Sequence, residues 1–410
     1  MPRILLLLPT TTYRATDFLA AAARMTADVV AASEVPSAMA AQHPESLLSL
    51  DLGDPDASAR AALGYHRKYP IDAVIPVDEV TAVAAAAIGS ALGLRHNSTE
   101  SARAARYKNV LADLLARHGV PAPGHIVFPL TKDPAEAAGM VRYPAVLKPL
   151  ALSGSQGVIR ADDPHAFVAA WNRIAAILSA KDAKARSGEA GRQILIQDFV
   201  PGWEFALEGL LSNGNLQVLA LFDKPDPLDG PCFEETIYVT PSRLTDGEQR
   251  SISACVSKGA RALGLEEGPV HAEVRLNAGG PWLIELAARS IGGLCSRTLR
   301  FGTGLSLEDV ILRHALGMPV EDLRRDQSAA GVMMIPIPRS GVLKAIEGLD
   351  EARKVTNIVE VTITARLSRR VVALPEGSSY LGFIFSRAEF PAEAEKALRE
   401  AHRHLKFTIE

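Results

Sequence analysis

Three scarcities narrow what this chain can be. Cysteine is rare: Cys232, Cys255 and Cys295 lie far apart and without metal-ligand spacing. They are expected to be reduced structural thiols, and no basic partner marks one of them as a nucleophile. Long apolar runs are also missing. Ile4–Leu8 is far too short to span a bilayer, and no small-residue cleavage site follows a signal-length apolar stretch, so a cytoplasmic protein is expected. Nor is there an excess of charge of one sign. At −3 the net charge points to neither nucleic acid nor an anionic membrane, so the ligand must be sought in local sites. What remains is an ordinary globular balance, 48% hydrophobic and 22% charged over 410 residues. That length suggests roughly two to four domains, and no internal repeat is visible.

The first 95 residues alternate short apolar strands with Ala-rich helical stretches, the pattern of a βαβ sheet. Strands are expected at Arg3–Pro9, Val29–Ala32 and Ala73–Val77, the last ending in Asp78-Glu79. After the first strand comes Thr10-Thr11-Thr12-Tyr13 in place of a Gly-x-Gly-x-x-Gly turn, which argues against dinucleotide binding. A helix is expected over Arg103–Gly119, then a stiff connection through Pro121 and Pro123. Further on come a helix over Phe167–Leu178, a polar loop over Lys181–Gly191 and a hairpin turning at Ser212–Asn215. A helix over Gly247–Leu263, a second hairpin over Val270–Arg289 and a terminal helix over Ala392–His404 complete the outline. The whole reads as an α/β, multi-domain chain.

Chemistry gathers in three places. Side chains alternate faces along a strand, so Ala272, Val274 and Leu276 can share an apolar face while His271, Glu273 and Arg275 share the other. On the return strand Ile284, Leu286 and Ala288 should pack, leaving Glu285, Ala287 and Arg289 polar-side. Glu273 and Glu285 are equidistant from Gly279, which sets them opposite each other. Directly opposed like charges are destabilising unless something compensates them. A hard cation such as Mg²⁺ would do so, with Arg289 on the same face free to bind a phosphate or carboxylate; the alternative is a solvated face with ordinary charges. The second place is Lys148 followed by Ser153-Gly154-Ser155-Gln156-Gly157, a strand ending in a cation and then a loop able to aim N–H groups at an anion. It does not match a Walker sequence, and a plain surface hairpin is its alternative. The third is Gln197-Asp198-Phe199-Val200 with Glu204, a strand running into an extended hinge that could read an adenine edge and a ribose, or be a plain strand exit.

Taken together, these pieces resemble the ATP-grasp superfamily, and more closely its L-amino-acid ligase branch. The likeness runs through most of the chain in family order. Lys108, within Tyr107-Lys108-Asn109, resembles the first ATP-binding lysine, and Lys148 with Ser153–Gly157 the second lysine and its phosphate loop. Gln197–Val200 resembles the adenine hinge, Glu204 the ribose-binding acid, and Glu273 with Glu285 the metal-binding pair. Arg289, Gly292 and Gly293 resemble the arginine and glycines that follow it, Glu234 in Phe233-Glu234-Glu235 the substrate-side loop, and Tyr380–Phe385 part of the small closing domain. Two positions depart from the pattern: Ala287 replaces an Asn that often binds a further metal, and Tyr107 an acid before the first lysine.

The resemblance implies an ATP-grasp fold behind a Rossmann-like N-terminal domain. It divides the chain into 1–95, a helical connection 96–142, a lid 143–204, a core with the metal site 205–304, and a small domain 305–410. It implies an ADP-forming carboxylate–amine ligase using ATP and Mg²⁺ or Mn²⁺, with Arg289, Glu273 and Glu285 as catalytic candidates. The acid and the amine would both be small molecules, each an amino acid on the branch likeness, and a homodimer is the assembly to consider. The alternatives are a biotin-dependent carboxylase, a glycinamide ribonucleotide synthetase or a non-catalytic ATP sensor. The first is disfavoured by the lack of a Met-Asn pattern near Glu285 and of a biotin-accepting Met-Lys-Met.

Overall fold

A computed structural model describes residues 1–320 and 323–410. The N-terminal region carries β1 (Arg3–Leu7), α1 (Ala15–Arg24), β2 (Asp28–Ser33), β3 (Leu47–Ser49), α2 (Pro55–His66), β4 (Ala73–Pro76) and α3 (Ala82–Leu92). Its four strands are all parallel, in the order β3-β2-β1-β4. Ile4 to Leu7 are fully buried, as a parallel strand covered on both faces requires. The Rossmann-like alternation is therefore present, with β3, α2 and α3 added to the elements read from sequence.

The connection holds α4 (Thr99–Arg106) and α5 (Lys108–Arg117). The single helix expected here is broken: Tyr107 is extended (φ −102°, ψ 112°), and the Lys108 N–H leaves the helix to bond the Leu150 carbonyl at 3.0 Å. That break points Lys108 toward the next sheet. There lie β5 (His125–Pro129), α6 (Pro134–Ala138), β6 (Ala145–Pro149), β7 (Ile159–Ala161), α7 (Pro164–Ser179), α8 (Lys181–Ser187) and β8 (Gln193–Asp198). The strand order is β5-β8-β6-β7, so this sheet begins upstream of residue 143. The segment expected to be a loop over Lys181–Gly191 is instead α8 followed by a 3-10 turn over Gly188–Arg192. Its Lys, Ala and Arg residues are good helix formers, and their propensity prevails over the segment's polarity.

The core contains β9 (Trp203–Ser212), β10 (Asn215–Asp223), β11 (Ile237–Thr240), α9 (Asp246–Ala262), β12 (Gly268–Asn277), β13 (Gly280–Ala287) and α10 (Leu307–Ala315). Asn213 and Gly214 both have positive φ, the left-handed pair that a two-residue hairpin turn needs. The C-terminal part adds β14 (Ala329–Ile335), β15 (Gly341–Glu347), α11 (Leu349–Lys354), β16 (Ile358–Ile363), β17 (Arg370–Val371), β18 (Gly382–Ala388), α12 (Pro391–His404) and β19 (Lys406–Ile409). Strands β14, β18 and β16 extend the core sheet, whose order is β13-β12-β9-β10-β11-β14-β18-β16. Residues 305–410 are thus hydrogen-bonded into the core rather than set apart from it. The three cysteines are free thiols, and no helix among the described residues is long and apolar enough to cross a membrane.

Candidate functional site

A cleft of about 1600 Å³ opens between the N-terminal sheet, the lid and the core sheet. Its floor is the hairpin β12–β13. Glu273 pairs directly with Glu285, as the sequence suggests, but by a different route. The turn is centred between Ala278 and Gly279, and a bulge after Glu273 restores the register. The bulge also moves Ile284, expected in the core, to the cleft, while Leu283 and Leu286 pack inward. His271, Glu273 and Arg275 do share the cleft face, with Ala272 and Val274 fully buried beneath them.

Each carboxylate has a lysine at its side. Lys108 Nζ stands 3.5 Å from Glu285, and Lys224 Nζ 3.6 Å from Glu273. Compensation is still incomplete. Burial, then Glu235, Glu285 and Glu204, outweigh Lys224 and push the Glu273 carboxyl up to about 8. Glu204, Glu235 and Glu273 also lie close enough to hold a metal ion. That triangle is already filled: Lys224 Nζ bonds Glu204 at 2.8 Å, Glu235 by a shorter contact, and approaches Glu273. The opposed pair Glu273–Glu285 is therefore the better place for a divalent cation.

Lys148, on β6, is buried at the cleft wall, and burial, with Lys108 nearby, lowers the pKa of its ammonium. Among the described residues nothing accepts a hydrogen bond from it, whereas Lys108 donates to the Leu152 carbonyl at 3.0 Å. A buried, unpaired ammonium facing a cavity is costly unless an anion joins it. The neighbouring loop turns through positive φ at Gly154, Ser155 and Gly157. Ser153, Gly154 and Ser155 line the cleft, but Gln156 and Gly157 do not, contrary to expectation. The Gln156 amide donates to the Glu376 carbonyl at 2.6 Å and accepts from Arg186 at 2.7 Å. The Gly157 N–H donates to the Pro375 carbonyl at 2.9 Å, and a Cβ there would meet Pro149 at 2.7 Å. With Arg173 bonded to both carboxylate oxygens of Glu376, the C-terminal loop clasps the phosphate-loop candidate to the lid.

At the hinge, Asp198 and Phe199 donate to the Gly124 and Pro144 carbonyls, and the Val200 carbonyl accepts from Arg275 at 2.8 Å. The Val200 N–H has no partner among the described residues, which leaves one donor for an adenine edge. Gln197 and Glu204 are buried. Glu204 accepts from Lys224 and, at 3.1 Å, from Arg275, so its acceptor capacity is partly used already. Glu234, singled out from sequence, does not line the cleft; its neighbour Glu235 does, held by Lys224 and by the Tyr238 hydroxyl at 2.6 Å. Gly292 and Gly293 line the cleft beside Arg289. Burial, then Arg289, push the His271 pKa well down, and its Nδ1 lies 3.2 Å from Glu208. Lys224 and Glu79 escaped the sequence reading, although Asp78-Glu79 at a strand end was a visible signal, and Glu235 was named only as part of the Phe233–Glu235 loop.

Residues 141–298 match the ATP-grasp domain family, and residues 333–410 match the L-amino acid ligase C-terminal domain 2. Residues 141–298 therefore carry an ATP-grasp domain, and the likeness of the chain runs to the L-amino-acid ligases. It is 30% identical over 241 residues to dapdiamide A synthase of Enterobacter agglomerans, covering 58% of this chain and 55% of that protein. Alanine–anticapsin ligase of Bacillus subtilis is 28% identical, with coverage of 60% and 54%. The chain thus spans little more than half the length of these relatives. The crystal structure of an L-amino acid ligase from Bacillus licheniformis superposes with a TM-score of 0.82 at 25% identity, covering 100% of this chain and 99% of that one.

Proposed function

We propose that this protein is an ADP-forming carboxylate–amine ligase that activates an amino acid's carboxylate with ATP and couples it to the amine of a second amino acid. Lys148, buried and unpaired beside the Ser153–Ser155 loop, is the observation that carries this, because it leaves a fixed cation waiting for an anion. Lys108 and Lys148 would hold the phosphates, the Val200 N–H the adenine edge, and Glu204 the ribose. Glu273 and Glu285 would hold Mg²⁺ or Mn²⁺, and their uncompensated charge fits such an ion. When bound, the metal would neutralise the charge of the transferring phosphoryl group. Arg289 would steady the acyl phosphate, Gly292 and Gly293 would let the substrate approach the backbone, and Glu235 would face the incoming amine. The lid clasped by the C-terminal loop would keep water from the acyl phosphate. The cytoplasm is the expected compartment, and the net charge of −3 does not call for a nucleic-acid partner.

ADP release is the direct test. It should occur with ATP, Mg²⁺ and an amino-acid pair, yielding a stoichiometric amount of dipeptide. Release that depends on bicarbonate, or none with any pair, would sink the proposal.

The metal site also predicts a pH signature. In the metal-free fold the Glu273 carboxyl sits at about 8 rather than its ordinary 4.5, so folding favours its protonated form. That contribution to stability is complete below 4.5 and is lost as the pH rises to about 8. Mg²⁺ needs the ionised form, so it should raise the unfolding midpoint more at pH 8 than at pH 6. Calorimetric scans with and without Mg²⁺ would check this, and equal shifts at both pH values would count against the site.

A further inference from the structure

We infer that Glu79, a residue of the N-terminal domain, is a positioning residue that aims Arg289 at the reacting centre. The inference rests on the ligase function proposed above and adds a residue to it. Glu79 opens a short 3-10 turn just after β4 and is buried. One of its oxygens, Oε2, accepts from Arg289 Nη2 at 3.2 Å; the other, Oε1, accepts from Arg106 Nη1 at 3.2 Å. Burial would raise its carboxyl, but Arg106 and then Arg289 outweigh that and hold it down at about 2, so it stays ionised.

Geometry makes this pair more than charge balance. Arg289 lies two residues beyond the end of β13, outside the ladder that fixes Glu273 and Glu285. Its remaining anchor is a bond from Nη1 to the adjacent Ser290 carbonyl at 3.0 Å, which does little to fix the far end of a long side chain. A guanidinium has five N–H donors, so these two contacts leave an edge for a ligand in the cleft that Arg289 lines. Glu79 therefore chooses which edge is presented. Its second partner, Arg106, ends the helix just before Lys108, so one carboxylate ties the arginine to the segment that carries the first phosphate lysine. Without that charge, Arg106 and Arg289 would repel each other and Arg289 would turn away.

Glu79→Gln keeps the shape and removes the charge. Its kcat should fall about 100-fold, the scale of a misplacement near 1 Å, while the KM for ATP stays within about twofold. Glu79→Asp, which keeps the charge, should recover part of the loss, and both variants should melt as two-state folded proteins. The positioning role is overturned if Glu79→Gln turns over like wild type. It is equally overturned if kcat and the ATP KM worsen together and Glu79→Asp rescues nothing, since that pattern marks a general structural defect. Wild-type protein that releases no ADP with any amino-acid pair would instead overturn the ligase function itself, and this role with it.

Discussion

Replacing Lys148 with Met should abolish turnover almost completely, lowering kcat/KM by about 10³-fold, or ~4 kcal/mol of transition-state stabilisation. The physical ground is the unusual state of this side chain. It is buried, burial lowers its pKa, and no acceptor among the described residues meets its ammonium. A group left in that condition weakens the free protein and is repaid only when a phosphate arrives. The same substitution should therefore stabilise the nucleotide-free fold, since Met fills a similar volume without a charge to desolvate. Opposite signs in the two measurements, a higher melting midpoint and lost ATP binding by titration calorimetry, distinguish this from ordinary damage. A variant that melts lower and still binds ATP would refute the role given to Lys148.

Glu273→Gln should be comparably severe for catalysis, about 10²- to 10³-fold in kcat, and should abolish the metal-dependent rise in melting midpoint. Its effect on the metal-free protein should again run the other way. Glu273 faces Glu285 across the hairpin, and like charges so placed are destabilising. Lys224 would keep Glu204 and Glu235 as partners, so no buried ammonium is orphaned by the change. Near pH 7 most of that benefit should already be present, because the unfolded Glu273 has ionised above 4.5 while the folded carboxyl, at about 8, is still held protonated. It should level off above pH 8, and the loss of stability between pH 4.5 and 8 should vanish in the variant. Glu285→Gln should match the catalytic loss, and the double variant should be little worse than either, as expected of two ligands serving one ion. Full activity of Glu273→Gln with saturating Mg²⁺ would remove the carboxylate pair from the mechanism.

What could be read from the sequence follows the reach of each signal. Strand alternation put His271, Glu273 and Arg275 on one face because period two is a local property, and the pairing of Glu273 with Glu285 needed only a nearby turn. The bulge that brings Ile284 into the cleft carries no residue-level mark, so Ile284 alone was misassigned, while Leu286 and Ala288 pack and Glu285 faces the cleft as read. Tyr107 broke a helix because Lys108 bonds Leu150, a tertiary contact invisible in a run of good helix formers. The Arg289–Glu79 pair spans 210 positions, and no periodicity reports such a distance. Glu234 and Glu235 were separable only by knowing which one Lys224 and Tyr238 hold. Local chemistry was legible, then, and its long-range counter-charges were not.

The eight-stranded sheet has a practical consequence for anyone building hybrids from this chain. Between β11 and β14 the ladder pairs Ile237 with Met333 through Thr240 with Ala330, so the C-terminal residues join the nucleotide core by main-chain bonds, not by a linker. A cut near residue 305 would bare two apolar strand edges, one on each fragment, and such edges invite aggregation. Grafting a relative's tail at that point would also separate Tyr380 and the Glu376 clasp from the lid they were matched to. The piece to exchange as one therefore includes the lid together with the core sheet, with the N-terminal sheet as the separate piece.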